Sequence, residues 1–108
     1  MRTDDLKIVP VLATFTGATF LWRWVAVASN SLNPVFSIGS EGIAYRVLKR
    51  SQARFEDIAS VSFMSAPKTA NLHFRFKTGP WTFTANVGDK AAARRTIALL
   101  PEHLRFEL

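Results

Sequence analysis

The sequence predicts a mainly β domain of the α+β class, built as a bent antiparallel sheet or open barrel of short strands and closed by a C-terminal helix. Apolar and polar residues alternate with a period of two in short segments between residues 35 and 87, which is typical of strands with one buried face. Residues that favour turns separate these segments. A helical pattern follows at residues 88–100. This order of elements predicts hairpins followed by a terminal helix.

An apolar stretch, Ile8–Ser29, precedes the predicted strands and contains a single charged residue, Arg23. As a strand, this stretch places Arg23 on the same face as apolar residues. As a helix, it places Arg23 on one stripe with Thr16 and Thr19, and Pro10 falls in the first turn. The helical pattern is the better of the two, so the sequence predicts a helix.

Three roles remain open for this stretch: a membrane-spanning helix, a helix on a membrane surface or partner subunit, or a helix or long strand packed on the same domain. Arg23 opposes spanning, since an arginine near the bilayer centre costs roughly 2.5–3.5 kcal/mol on insertion scales. The residues predicted to touch a membrane or a second subunit are Phe20, Trp22, Arg23 and Trp24. Asn30–Pro34 then ends the stretch and divides the chain into an N-terminal segment, 1–34, and a domain, 35–108.

The first predicted hairpin is Val35–Arg50, which turns at residues 40–42. Leu48–Arg54 follows as a polar and basic connection. Phe55–Met64 contains the next strand, with a change of register near residues 59–60.

The clearest hairpin is Asn71–Val87. If the residues that flank its turn face each other, His73 lies opposite Thr84 and Arg75 lies opposite Thr82. The aromatic face is predicted to be the core, and the face with His73, Arg75 and Lys77 is predicted to be wet.

The C-terminal helix begins at an N-cap offered by Gly88 and Asp89 and is expected to end near Leu100, because Pro101 follows. Its apolar face contains Ala93, Ile97 and Leu100. This face is predicted to pack on the aromatic face of the last hairpin.

Three segments carry a resemblance to a known family: Ile38–Ile43 (IGSEGI), Tyr45-Arg46 and Phe55–Val61 (FEDIASV). In these segments and in the closing helix, the chain resembles bacterial pleckstrin-homology-like (PH-like) domains. The resemblance implies that this chain has the PH-like fold. It also implies a membrane role for Ile8–Ser29, because members of this group are often attached to transmembrane helices. The lipid-binding motif of eukaryotic relatives does not align with the basic residues of this chain, so the resemblance implies no specific ligand.

The chain is strongly basic, with a net charge of +6 over 108 residues. Such a charge favours anionic partners, although a solvated basic surface without a partner gives the same composition. Between Ile43 and Lys77 there are seven Lys and Arg residues and two Asp and Glu residues. The predicted anion-binding residues are Arg46, Lys49, Arg50, Arg54, Arg75 and Lys77.

Catalytic and metal chemistry finds little support in the sequence. The chain has no Cys, and its two His residues lie thirty positions apart without carboxylates at ligand spacing. No nucleophile–base set is recognisable. The sequence therefore predicts a protein that is not an enzyme, with no metal site, no cofactor and no small-molecule substrate.

The predicted function is a small binding or scaffold module at or near a membrane, using its basic connection and its apolar N-terminal stretch to meet an acidic lipid surface or a protein partner. The alternative is a soluble homo-oligomeric interaction protein. Nucleic acid is a third option, disfavoured because Phe74, Phe76, Trp81 and Phe83 belong to the alternating set predicted to be buried. Since no signal peptide is recognisable, the expected location is the cytoplasm, with attachment to the inner membrane through residues 8–29.

Overall fold

The structure, a computed structural model, describes residues 6–20, 23–30, 34–65 and 70–108. Within these ranges the chain forms two antiparallel sheets and one C-terminal helix. The strands are β1 (Lys7–Ile8), β2 (Ala13–Phe20), β3 (Arg23–Asn30), β4 (Val35–Ile38), β5 (Gly42–Arg46), β6 (Arg50–Arg54), β7 (Ile58–Met64), β8 (Asn71–Phe76) and β9 (Trp81–Asn86), and the helix is α1 (Lys90–Ile97).

The two sheets differ in size, and no ladder joins them in the described parts of the chain. The four-stranded sheet has the order β1-β4-β5-β6, and the five-stranded sheet has the order β3-β2-β9-β8-β7. The predicted mainly β class with a C-terminal helix is confirmed. The strands do not close into one barrel.

The N-terminal stretch is the main difference from the sequence prediction, because the described residues of Ile8–Ser29 form strands, joined by irregular segments, and not a helix. Residues 21 and 22 lie outside the described ranges. The expected position of Arg23 on an apolar strand face depends on unbroken alternation along the strand. In the ladder between β2 and β3, however, Thr16 pairs with Ala28 whereas Gly17 pairs with Ala26. Val27 is therefore an extra residue in β3, and a bulge of this kind interrupts a period of two. The many threonines, valines and aromatic residues of the stretch favour strands over a helix.

The same stretch contributes to both sheets. β1 pairs with β4, and β2 pairs with β9 on one side and with β3 on the other. The Asn30 side chain donates a hydrogen bond of 2.9 Å to the carbonyl of Val47, the residue that follows β5 of the other sheet. Strands that precede the predicted boundary at Asn30–Pro34 thus pair with strands that follow it. Residues 31–33 of this boundary lie outside the described ranges. No helix within the described ranges is long and apolar enough to cross a membrane.

A group of aromatic side chains between the two sheets forms the centre of the core. The Phe36 ring lies 5.5 Å from the ring of Phe74 and 5.5 Å from that of Phe83, edge to face in both cases. Tyr45 stacks on Phe83 with 4.2 Å between ring centroids. Aromatic pairs of these geometries add about 0.5–1.5 kcal/mol each beyond the burial of their area. These contacts hold the inner faces of the two sheets together.

The β8–β9 hairpin has the predicted register, with His73 opposite Thr84 and Arg75 opposite Thr82. The predicted register change in the preceding strand is also confirmed, because the β7–β8 ladder shifts between Ile58 and Ser60. The prediction of a fully wet polar face is wrong. His73 is only 4% exposed, and both threonines are buried with it, whereas Arg75 is exposed.

Helix α1 follows the sequence prediction closely. The Asp89 carboxylate caps it by accepting a hydrogen bond of 2.8 Å from the Ala92 backbone N–H. The predicted apolar face, Ala93, Ile97 and Leu100, is buried in the core. The helix itself ends at Ile97, three residues before the expected position.

The aromatic core predicts a large effect of a single truncation. Phe83→Ala is expected to lower the free energy of unfolding by about 3–5 kcal/mol, because the substitution leaves a cavity among three aromatic rings. Trp81→Ala is the matched control, since Trp81 lies on the same strand but is 54% exposed. Urea unfolding measures both, and equal losses for the two variants would contradict the assigned core.

Candidate anion-binding surface

The basic segment of the sequence is part of a hairpin. Leu48–Arg54 was predicted to be a connection, but Arg50–Arg54 forms strand β6 and pairs with β5 along its length. The turn between the strands is Val47–Lys49. Close approach of β6 requires Gly42, because a Cβ there would lie 2.0 Å from the Ala53 carbonyl oxygen. We call this β5–β6 unit the basic hairpin.

The hairpin brings three cations together at its closed end. Arg46 lies directly opposite Arg50 in the ladder, so their Cβ atoms are about 4.5–5.5 Å apart. Lys49 precedes Arg50 in the turn and is exposed. Within the described ranges, neither arginine has a carboxylate at ion-pair distance. Like charges in this position repel each other, and a bound anion removes the repulsion.

Arg54 is placed differently from the other cations of the hairpin. It occupies the far end of β6, roughly 13 Å from Arg50 at the usual rise of a strand. Its guanidinium forms an exposed ion pair of 3.0 Å with Glu56. Arg54 is therefore compensated, and the uncompensated charge lies at the closed end.

A shallow hollow of about 300 Å³ adjoins Arg50 on the outer face of the four-stranded sheet. Residues that line it include Leu6, Val35, Ala44, Arg50 and Gln52. It thus combines an apolar floor, an amide and a guanidinium. This combination suits a ligand with an anionic group and a small uncharged body.

The remaining predicted anion-binding residues lie elsewhere. Arg75 pairs with Thr82 on the face of the five-stranded sheet that is turned away from the core. Lys77 follows β8, and its backbone N–H donates a 2.9 Å hydrogen bond to the Asp57 carbonyl. The six residues predicted as one set therefore do not form one surface.

The predicted membrane or subunit contacts lie near the end of the β2–β3 hairpin. Phe20 pairs with Arg23, and Thr19 pairs with Trp24. Trp22 lies outside the described residues. The ladder between β2 and β9 ends where Ala18 meets Trp81, so the last two pairs of the hairpin extend past β9.

The exposure of Trp81 beside the end of the β2–β3 hairpin was not predicted, because its place in the alternating pattern indicated a buried residue. It is 54% exposed. One feature of the sequence indicates this exposure: Trp81 directly follows Gly79-Pro80 and is the first residue of its strand. The basic hairpin is distant from this end, because Arg46 accepts a hydrogen bond from Thr14, roughly 20 Å along β2 from Phe20.

The described side chains also bear on the question of a metal site. In the described part of the chain, no group of three His, Asp or Glu side chains converges in a way that would hold a metal ion. Comparison with known proteins adds no assignment. No family model, curated protein or solved structure matches the chain. The geometry of the basic hairpin is therefore the main basis for a functional proposal.

The buried histidine has an unusual environment. One ring nitrogen of His73, Nδ1, lies 2.9 Å from the Thr84 hydroxyl oxygen. Burial lowers the pKa of His73, and the positive charge of Arg75 lowers that pKa further. His73 is therefore held in its neutral form by the fold.

This environment predicts a pH dependence of stability. Between the ordinary histidine pKa of 6.5 and the lower folded value, the unfolded chain binds more protons than the folded chain. The free energy of unfolding must therefore fall as the pH is lowered through this window. His73→Gln is expected to reduce that slope, and His103→Gln, at an exposed position, is the control. Urea titrations at several pH values measure the slope, and an unchanged slope in His73→Gln would refute the assignment.

The arginine pair predicts a stabilising substitution. Arg50→Glu converts the repulsion with Arg46 into attraction and is expected to raise the free energy of unfolding by about 0.2–1 kcal/mol at low ionic strength. Arg54→Glu is the control, because it replaces the attraction to Glu56 with repulsion. Urea unfolding at low and high salt separates the two effects. A loss of stability in both variants would contradict the geometry of the pair.

Proposed function

We propose that this chain is a non-enzymatic, PH-like module that binds anionic lipid headgroups at a membrane surface through Arg46, Lys49 and Arg50. The observation that carries the proposal is the direct cross-strand pairing of Arg46 with Arg50 beside the hollow. Two antiparallel sheets with a C-terminal helix agree with the PH-like part of the proposal.

The energetics of this surface are sufficient for reversible binding. Each Lys or Arg close to an anionic bilayer contributes about 1 kcal/mol. Three such residues together give roughly a hundredfold preference for anionic over neutral membranes. Screening by salt reduces this preference, since the Debye length is only about 8 Å at physiological ionic strength.

The hollow adds a reason to favour headgroups over a diffuse polyanion. Its apolar residues, Val35 and Ala44, and the Gln52 amide lie beside the guanidinium of Arg50. A headgroup can place its phosphate or carboxylate on the cations and its uncharged part in the hollow. Binding of a polyanion through its charge alone does not require such a hollow.

Binding to vesicles tests the proposal. We expect the chain to sediment with phosphatidylserine-containing vesicles at low salt and to remain in solution with pure phosphatidylcholine vesicles. The double variant Arg46→Gln/Arg50→Gln is expected to lose at least about tenfold in affinity. The matched control is Arg75→Gln/Lys77→Gln, which removes the same charge from exposed positions outside the basic hairpin.

The control decides between a site and a general charge effect. Equal losses in the two double variants would mean that binding follows net charge, and would overturn the proposal. Absence of binding to both kinds of vesicle would overturn it as well. Tighter binding to DNA or RNA than to anionic vesicles would assign the same cations to nucleic acid instead.

A further inference from the structure

A row of apolar side chains faces solvent along residues 8–12, which comprise the end of β1 and its connection to β2. Ile8 is 83% exposed and Leu12 is 63% exposed, and Pro10 between them is exposed as well. The intervening Val9 is buried in the core, which fixes the orientation of the segment. A contiguous patch of exposed apolar side chains is a feature of surfaces that a partner covers.

A groove of about 340 Å³ lies between this segment and α1. It is lined by Ile8, Val9 and Pro10 on one side and by Ala92, Thr96 and Leu99 on the other. A dry cavity of about 150 Å³ is enough to hold benzene. The groove is therefore large enough to receive a branched aliphatic side chain from another molecule.

The patch is complementary to itself. The protruding side chain of Ile8 and the groove that can receive such a side chain adjoin each other on one surface. Two opposite charges, Asp89 and Arg95, line the same groove. In a dimer with twofold symmetry, the patch of one copy contacts the same patch of the other copy. Ile8 of each copy then faces the groove of the other, and the Asp89 carboxylate faces the Arg95 guanidinium.

Other occupants fit the patch less well. An added strand needs free backbone N–H groups, but β1 has only two residues and Pro10 follows without an N–H. Asp89 and Arg95 together give the groove no net charge that would attract an anionic membrane. Neither objection applies to a second copy.

We propose that Ile8, Pro10, Leu12 and Leu99 form the apolar centre of a symmetric interface between two copies of this chain. Ile8 of each copy occupies the groove beside α1 of the other, and Asp89 pairs with Arg95 across the interface. This inference does not rest on the proposed binding of anionic headgroups.

Sedimentation equilibrium on the full chain tests the interface. The chain is expected to form dimers in a concentration-dependent way without lipid. Ile8→Asp is expected to weaken the dimer by a factor of about 30 or more, which is the loss typical of a hot-spot residue at the centre of an interface. Leu48→Asp is the matched control, because Leu48 is 76% exposed and lies in the turn of the basic hairpin.

A charge variant provides a second, independent readout. Arg95→Glu leaves only acidic side chains at the groove and is expected to weaken the dimer, whereas Asp89 must be kept because it caps α1. Circular dichroism confirms that the variants stay folded, as expected for substitutions at exposed positions.

Three results would overturn the inference. The first is a monomer at all concentrations up to about 1 mM. The second is a dimer that Leu48→Asp weakens as much as Ile8→Asp does. The third is a monomeric chain whose binding to vesicles is lost in Ile8→Asp, which would assign the patch to lipid.

Discussion

The contact of Phe36 with Phe74 and Phe83 between the two sheets is the interaction on which the rest of the structure depends. Among the residues that the structure describes, the sheets share no ladder, and side chains pack between their inner faces. Tyr45 on β5 joins this group by stacking on Phe83, and the burial of Tyr45 raises its pKa. The aromatic core thus fixes β5, the strand that ends in Arg46.

This dependence explains how an unfavourable charge arrangement persists in the fold. The repulsion between Arg46 and Arg50 amounts to a fraction of a kcal/mol, up to about 1 kcal/mol. Burial of a single large aromatic side chain contributes more than that. The core therefore imposes the register of the basic hairpin, and Arg46 stays directly opposite Arg50.

Local patterns predicted much of the fold, whereas non-local features were missed. The register of β8–β9, the shift near Ser60 and the cap at Asp89 follow from neighbouring residues in the sequence. The strands within Ile8–Ser29 cannot be predicted from neighbouring residues in this way. A bulge disturbs their alternation, and their partners β4 and β9 are distant in sequence. The burial of His73 was missed for a related reason: a single hairpin does not reveal what covers its polar face.

The candidate site was predicted as a set of residues but not as a geometry. Strand β6 directs only the small residues Ser51 and Ala53 toward the core side, so it shows no apolar alternation and resembled a loop. Because β6 is an edge strand, Arg50 and Arg54 also fit the usual use of charge to prevent edge-to-edge association. That explanation does not extend to Arg46, which lies on an interior strand and is half-buried. A cation at an interior position facing a second cation protects no edge, and it is the arrangement that the proposed binding of anionic headgroups uses.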